Sequence, residues 1–106
     1  STLRGPFGAE LAAALSARRA TWPQLSRIVV LLAPAFPALG RTTLHARQLV
    51  HGQPVESTEF FHGETGTQQS DIAAALHAAG LASVSIDLAS IRAGNGPLQH
   101  SLLQAS

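Results

Sequence analysis

The stretch RIVVLLAPAFPALGRTT, residues 27–43, decides how the rest of this sequence is interpreted. It contains six consecutive apolar residues at 28–33, three of which are β-branched. A run this short that is apolar on both faces is typical of a buried strand in a parallel sheet. Pro34 ends the run, because proline has no backbone N–H to donate. The pattern therefore predicts a buried parallel strand at 28–33.

Two prolines restrict the backbone of the loop after this strand, and a glycine then allows the backbone more freedom. Pro34 and Pro37 each fix φ, Phe36 between them is expected to anchor the loop, and Gly40 precedes the Arg-Thr-Thr sequence at 41–43. Ligands of open α/β sheets bind beyond the carboxyl ends of the strands. This arrangement therefore predicts recognition of an anionic small molecule. The alternative is a strand, a proline-rich loop and an arginine that only meets solvent.

The rest of the chain alternates helical and extended patterns. Helices are expected at 6–20, at 71–79 with Ser70 as the cap and Gly80 after the end, and at 98–104. Extended segments are expected at 44–50 and 55–61, which join around 51–54 as a β-hairpin, and at 83–88, with a mobile flap at 62–69. The predicted fold class is α/β: part of an open, mostly parallel sheet flanked by helices, with a β-hairpin excursion.

The composition is that of one small domain with few charges. The chain has 106 residues, of which 45% are hydrophobic and only 12% are charged, against roughly 25% charged in typical soluble domains. Part of the surface is therefore expected to be covered by another body. No apolar stretch approaches the ~20 residues that span a bilayer, so no membrane segment is predicted. The lack of cysteine excludes disulfides and thiolate metal sites.

The charged and aromatic residues argue against two further functional classes. All seven basic residues are arginines, they are scattered, and the formal net charge is +1. Nucleic-acid binders show a basic stripe with aromatic stacking platforms, whereas this chain has one Trp, four Phe and no Tyr. The five histidines lack the local spacing of zinc ligands. Neither nucleic-acid binding nor a metal site is predicted.

Several blocks, in this order and spacing, resemble one family. They are STLRG at 1–5 followed by PFGAE, APAFPALGRTT at 33–43, HGQPVESTEF at 51–60, SDI at 70–72 and IDLASIRAG at 86–94. Together they are similar to the N-terminal, substrate-binding half of the four-carbon acid sugar kinases, which include the 3-oxo-tetronate, threonate and erythronate kinases. One departure is that many members carry an Asp-Pro pair after Thr-Glu-Phe, where this chain has Phe-His-Gly-Glu at 61–64.

The resemblance implies a cytoplasmic, ATP-dependent kinase of two α/β domains. Residues 1–106 would form part of the N-terminal domain, which holds a four-carbon sugar acid. An upstream strand and the C-terminal domain, which mainly binds ATP and Mg²⁺, would lie outside this sequence, and the catalytic base is expected in the missing upstream segment. The chain starts at Ser1 and has no methionine, so we expect it to be cut from a longer chain. Alone it is expected to be inactive and to self-associate, because unpaired edges and apolar faces associate.

The substrate-binding residues implied by the resemblance suit a carboxylate that carries several hydroxyls. Arg4, just before a helix N-terminus, and Arg41, after the rigid loop, are expected to bind the carboxylate, since guanidinium forms paired charge-assisted hydrogen bonds with it. Hydroxyls or phosphate oxygens are expected to meet Ser1, Thr2, Thr42 and Thr43, and Glu59 is a weaker candidate. The simpler alternative is that Arg4 and Glu59 form ordinary ion pairs or lie in solvent.

A different class of function is also compatible with these residues. The chain shows no nucleotide-binding motif. It would therefore also suit a non-catalytic module that keeps this fold and binds a small molecule or another protein. The two hypotheses differ in how the parent chain continues after Ser106. A kinase continues into a domain with glycine-rich phosphate-binding loops, and a binding module does not.

Overall fold

A computed structural model describes residues 5–58 and 70–106 of the chain. Its α-helices are α1 (Phe7–Thr21), α2 (Ile72–Ala78), α3 (Leu88–Arg92) and α4 (Asn95–Ala105). Its strands are β1 (Arg41–Leu44), β2 (Arg47–Val50) and β3 (Gln53–Pro54), and short 3-10 turns span Pro37–Leu39 and Val55–Ser57. Among the described residues no helix is both long enough and apolar enough to cross a membrane.

The described sheet is antiparallel, in the order β1-β2-β3. Thr42 lies opposite Leu49 in the β1–β2 ladder, and Leu49 lies opposite Pro54 in the next. Both turns use positive φ, at His45 and Ala46 and again at His51 and the following glycine. Two such residues in a two-residue loop are typical of the type I′ turn, whose twist matches that of the strands. The prediction of an open, mostly parallel sheet is therefore wrong.

The parallel-strand prediction failed because the segment at 28–33 pairs with no other described residue. It has no strand assignment, and its side chains are exposed on both faces, as Val30 (44%) and Leu31 (72%) illustrate. A strand exists through its ladder of hydrogen bonds, so apolar, β-branched composition alone does not make one. The expected burial of this segment is likewise not found within the described residues.

The strand predicted at 83–88 was also wrong. Val84 is 69% exposed, and no strand is assigned across these residues. The carboxylate of Asp87 instead accepts a hydrogen bond of 2.7 Å from the backbone N–H of Ser90. This is a helix N-cap, so Leu88 begins α3 rather than ending a strand.

The helix prediction for the N-terminal region is confirmed, and α2 differs in its cap. α1 occupies the alanine-rich stretch that follows Pro6. In α2 the cap is Asp71, whose carboxylate accepts from the backbone N–H of Ala74 at 2.9 Å, and not Ser70 as predicted. Gly80 has φ 76° past the helix end. The last of the three predicted helices corresponds to α4. It starts at Asn95, three residues before the predicted start at 98.

The core lies where α1 packs against α2. Ile72 and Leu76 are its two buried hydrophobic residues, and the partly buried residues packed on them are Phe7, Leu11, Val55 and Leu81. Gly8 permits the close approach of the helices, because a Cβ at this position would lie 2.7 Å from the carbonyl oxygen of Ala75.

This small core leaves the chain unusually open to solvent. The accessible surface is 7612 Å², whereas a monomeric protein of this mass exposes about 5600 Å². The radius of gyration is 15.2 Å, compared with about 13 Å for a typical domain of this length.

Candidate functional site

The proline-rich loop before β1 is closed by a pair of backbone hydrogen bonds. The N–H of Phe36 donates to the carbonyl of Arg41 at 2.8 Å, and the N–H of Arg41 donates back at 3.2 Å. A 3-10 turn at Pro37–Leu39 fills the loop between them. Phe36 therefore fixes the loop through its backbone. Its side chain is 53% exposed, so the prediction that this ring anchors the loop was wrong.

Gly40 brings His51 against the start of β1. Its φ of 68° suits glycine, and a Cβ at this position would collide with the imidazole of His51. The N–H of His51 also donates to the carbonyl of Gly40 at 2.8 Å. The ring therefore packs over Gly40, next to Arg41. Sequence reasoning missed His51, and the only available signal was the His-Gly turn that follows β2.

The predicted binding residues at 41–43 lie on alternate faces of β1. Side chains of a strand alternate, so Arg41 and Thr43 share one face and Thr42 points to the other. Arg41 and Thr42 are exposed, and Thr43 is half-buried. Arg41 forms no ion pair with any residue of 5–58 or 70–106.

Thr43 is the one predicted binding residue whose side chain has a described hydrogen-bond partner. Its hydroxyl donates to the side-chain oxygen of Gln48 at 2.9 Å. Gln48 is 7% exposed, so this bond ties Thr43 to the buried side of β2. The oxygen of Thr43 keeps lone pairs with which it can accept a further hydrogen bond.

The other predicted site residues, Ser1, Thr2, Arg4 and Glu59, lie outside the described residues. So does the flap predicted at 62–69. Their roles remain predictions from the resemblance.

A second polar cluster fastens the end of the hairpin region to the start of α2. The carboxylate of Glu56 accepts from the backbone N–H of Ser70 at 3.0 Å and from its hydroxyl at 2.8 Å. Ser70 is 0% exposed, and its carbonyl accepts from the N–H of Gln48 at 2.7 Å. The guanidinium of Arg47 lies 3.6 Å from Glu56. Ser70 is thus a structural link and not a helix cap.

The charge state of Glu56 is set by these contacts. Burial raises the pKa of this carboxyl, but the hydrogen bonds from Ser70 and the nearby Arg47 outweigh burial, so its pKa is lowered. The ionised form of Glu56 is the one that this cluster stabilises.

The turn at 45–46 lies beside the starts of two helices. The carbonyl of Ala46 accepts from the N–H of Ile72 at 2.8 Å, at the first residue of α2. The pKa of Asp87 at the start of α3 is lowered mainly by its hydrogen bonds from Ser90, and also by His45 in the turn. The turn between β1 and β2 is therefore held against the start of α2, while Arg41 lies at the opposite end of the hairpin.

The described residues form neither a metal-binding cluster nor a phosphate-binding loop for a nucleotide. Within 5–58 and 70–106, no three His, Asp or Glu residues cluster in a way that would hold a metal ion. The sequence contains no lysine, and Gly94 leads into α4 with no glycine-rich loop of phosphate-binding length.

Comparisons with known proteins point to one family. The family model described as the sugar-binding N-terminal domain matches residues 1–106 of this chain. A D-threonate kinase of Cupriavidus necator is 39% identical over 99 residues, which cover 93% of this chain and 22% of that protein. A D-threonate kinase of Salmonella typhimurium is 45% identical over 60 residues, which cover 57% of this chain and 12% of that protein. The chain therefore spans less than a quarter of either relative. No solved structure matches.

Proposed function

Because this chain belongs to the sugar-binding N-terminal domain family of the four-carbon acid sugar kinases, we propose that it forms the substrate-binding part of an ATP-dependent kinase. The substrate is a four-carbon sugar acid, with threonate first among the candidates because both relatives are named for it. The observation that carries this proposal is the family match over the whole chain.

The described part of the candidate site suits one end of such an acid. Arg41 is exposed at the end of a loop that is closed by backbone hydrogen bonds. The backbone of Arg41 is therefore fixed, while its guanidinium is accessible to a ligand. A guanidinium binds a carboxylate through two parallel hydrogen bonds. Thr43 lies on the same face two residues along, at a distance of about 6–7 Å between Cα atoms. We assign Arg41 to the carboxylate and Thr43 to a hydroxyl of the acid.

The nucleotide belongs to another part of the proposed enzyme. Magnesium-bound ATP supplies the phosphoryl group in kinases of this kind, and the residues described here offer neither a phosphate-binding loop nor a metal-binding cluster. In the proposal, the role of this chain is to bind and orient the acid. Positioning of this sort accounts for a large share of phosphoryl-transfer catalysis. We also assign the enzyme to the cytoplasm, as the resemblance implies.

The first test is a coupled ATP-consumption assay on the full-length parent protein. The panel is threonate, erythronate and their 3-oxo forms. Turnover with one of them is the expected result and identifies the substrate. If ATP binds and no acid is turned over, the acid specificity in this proposal is wrong. If ATP does not bind, the non-catalytic binding module replaces the kinase.

The second test examines the role of Arg41. Arg41→Ala removes a charge-assisted contact, so we expect KM for the acid to rise about 10- to 100-fold, with KM for ATP almost unchanged. Arg41→Lys keeps the charge but loses the paired geometry, and it should recover only part of the affinity. Arg19→Ala removes an exposed arginine at the end of α1 and serves as the matched control. Equal effects on both substrates would refute the assignment.

A further inference from the structure

The hydroxyl of Thr43 has its hydrogen engaged by a buried side chain. It donates to the side-chain oxygen of Gln48 at 2.9 Å, and Gln48 is only 7% exposed. A threonine hydroxyl carries one hydrogen to donate and two lone pairs with which to accept. Because the hydrogen is directed at Gln48, the oxygen of Thr43 meets a ligand as an acceptor only.

The register of the β1–β2 hairpin holds these two side chains together. Thr43 lies directly opposite Gln48 in the ladder. The backbone N–H of Gln48 donates to the carbonyl of Ser70 at 2.7 Å and not across to Thr43. Residue pairs of an antiparallel sheet that exchange no backbone hydrogen bonds bring their side chains closest. The strand pairing itself therefore places the amide of Gln48 beside the hydroxyl of Thr43.

Burial of Gln48 opposes any reversal of this hydrogen bond. If Thr43 turned its hydrogen toward a ligand, the amide oxygen of Gln48 would lose the hydrogen bond from Thr43, and a buried acceptor that loses its donor is costly. A ketone oxygen of a ligand offers only lone pairs, so it would face the lone pairs of the Thr43 oxygen. An alcohol has a hydrogen to donate and forms a hydrogen bond in the same place.

This polarity bears on which acids the site accepts, because Thr43 shares a face of β1 with Arg41. We propose that Gln48 is a positioning residue that makes the site select hydroxy acids over oxo acids, an inference that rests on the function proposed above. Gln48 acts through Thr43, whose oxygen accepts a hydrogen bond from a substrate hydroxyl and disfavours an oxo group on the same carbon. The preferred substrates are then threonate or erythronate and not their oxo forms.

The test is a ratio of kcat/KM values measured on the full-length parent protein. The numerator is kcat/KM for the better substrate of threonate and erythronate, and the denominator is the value for its 2-oxo or its 3-oxo form. At least one of the two ratios should be about tenfold or more, because a site that binds a substrate hydroxyl rejects an analogue that lacks it. Gln48→Met keeps an unbranched side chain but replaces the amide with a weakly accepting thioether. It frees the hydrogen of Thr43 for a ligand oxygen, so this ratio should fall about fivefold or more.

Two further variants separate this role from a merely structural one. Thr43→Val removes the hydroxyl itself, so kcat/KM for the hydroxy acid should fall much more than kcat/KM for the oxo form, which lowers the same ratio even if Gln48→Met does not fold. Gln53→Met is the matched control, since it makes the same change at an exposed position of β3. It should leave the ratio unchanged within about twofold. A loss of stability alone would lower kcat/KM for both acids together and leave their ratio constant.

The outcomes distinguish this proposal from the kinase proposal on which it rests. Wild-type ratios of one or less for both oxo forms would overturn the role of Gln48 and leave the kinase assignment in place. A ratio that neither Gln48→Met nor Thr43→Val changes would have the same meaning. Turnover of no acid in the panel would refute the kinase proposal itself, and the role of Gln48 with it.

Discussion

The contact between α1 and α2 allows a sharp prediction, because Gly8 is the residue on which it depends. A Cβ at this position would lie 2.7 Å from the carbonyl oxygen of Ala75 and 3.2 Å from the Cβ of Ala79. The first contact is with backbone, which no side-chain rotation relieves. Gly8→Ala must therefore push the two helices apart at the core.

The size of the effect is set by two opposing terms. Overpacking a core contact costs about 1–3 kcal/mol, and replacing glycine by alanine inside a helix returns about 1 kcal/mol. We expect a net loss of about 1 kcal/mol in the free energy of opening. This loss corresponds to roughly fivefold faster amide exchange in α1 and α2, if exchange follows the opening equilibrium. The measurement is hydrogen exchange of peptides from these helices in the full-length parent.

Gly96 provides the matched control for this substitution. It lies in α4, and a Cβ there would meet no atom within 4 Å other than those of its chain neighbours. Gly96→Ala makes the same chemical change without a collision between helices, so exchange in α1 and α2 should not change. If Gly8→Ala leaves exchange in α1 and α2 as slow as in the wild type, the close contact that defines the core is wrong.

Three further predictions concern the hairpin and its attachment to α2. Because the pKa of Glu56 is lowered in the folded protein, the stability that this carboxylate contributes is fully present above pH 4.5, its ordinary pKa, and is lost as the pH falls through the lowered pKa. The free energy of unfolding of Glu56→Gln should therefore depend less on pH in the acid range, and identical pH profiles for the two proteins would contradict the role of Glu56. Ala46→Gly should stabilise the parent by up to about 0.5 kcal/mol in thermal unfolding, because φ of 59° strains alanine and not glycine; a loss of stability would show that the turn is misassigned. Asp71→Ala removes the cap of α2 and should cost about 1 kcal/mol in the same assay, whereas Asp71→Asn should cost much less; equal losses would show that the cap does not act through its oxygen.

The parts of the fold that could be predicted from the sequence rest on local signals. The helix at α1 follows from Pro6 and the alanine-rich run, and a turn past the end of α2 follows from Gly80, because these residues act on their own backbone. The strands predicted at 28–33 and 83–88 failed for the opposite reason. Residues 28–33 and 83–88 have strand-like composition, but pairing depends on residues elsewhere in the chain.

The candidate site likewise has features that neighbouring residues predict and contacts between distant residues that the sequence did not predict. The position of Arg41 after a rigid loop follows from the prolines and from Gly40, which are adjacent in sequence. The packing of His51 on Gly40 and the bond from Ser70 to Glu56 join residues 11 and 14 positions apart. The turn at 45–46 lacks the Asn-Gly or Asp-Gly pair that usually marks a type I′ turn. Apart from the His-Gly turn that follows β2, no local pattern indicates these contacts.

Gln48 connects these long-range contacts into one support for the predicted binding strand. Its backbone N–H donates to the carbonyl of Ser70, and its side chain accepts from the hydroxyl of Thr43. Strand β2 is thus attached to the start of α2 through one atom of Gln48 and to β1 through another. Since Arg41 lies opposite Val50 at the end of the same ladder, its position is set by packing that begins in the helical core. The acid binding proposed above is therefore expected to depend also on residues that do not contact the acid.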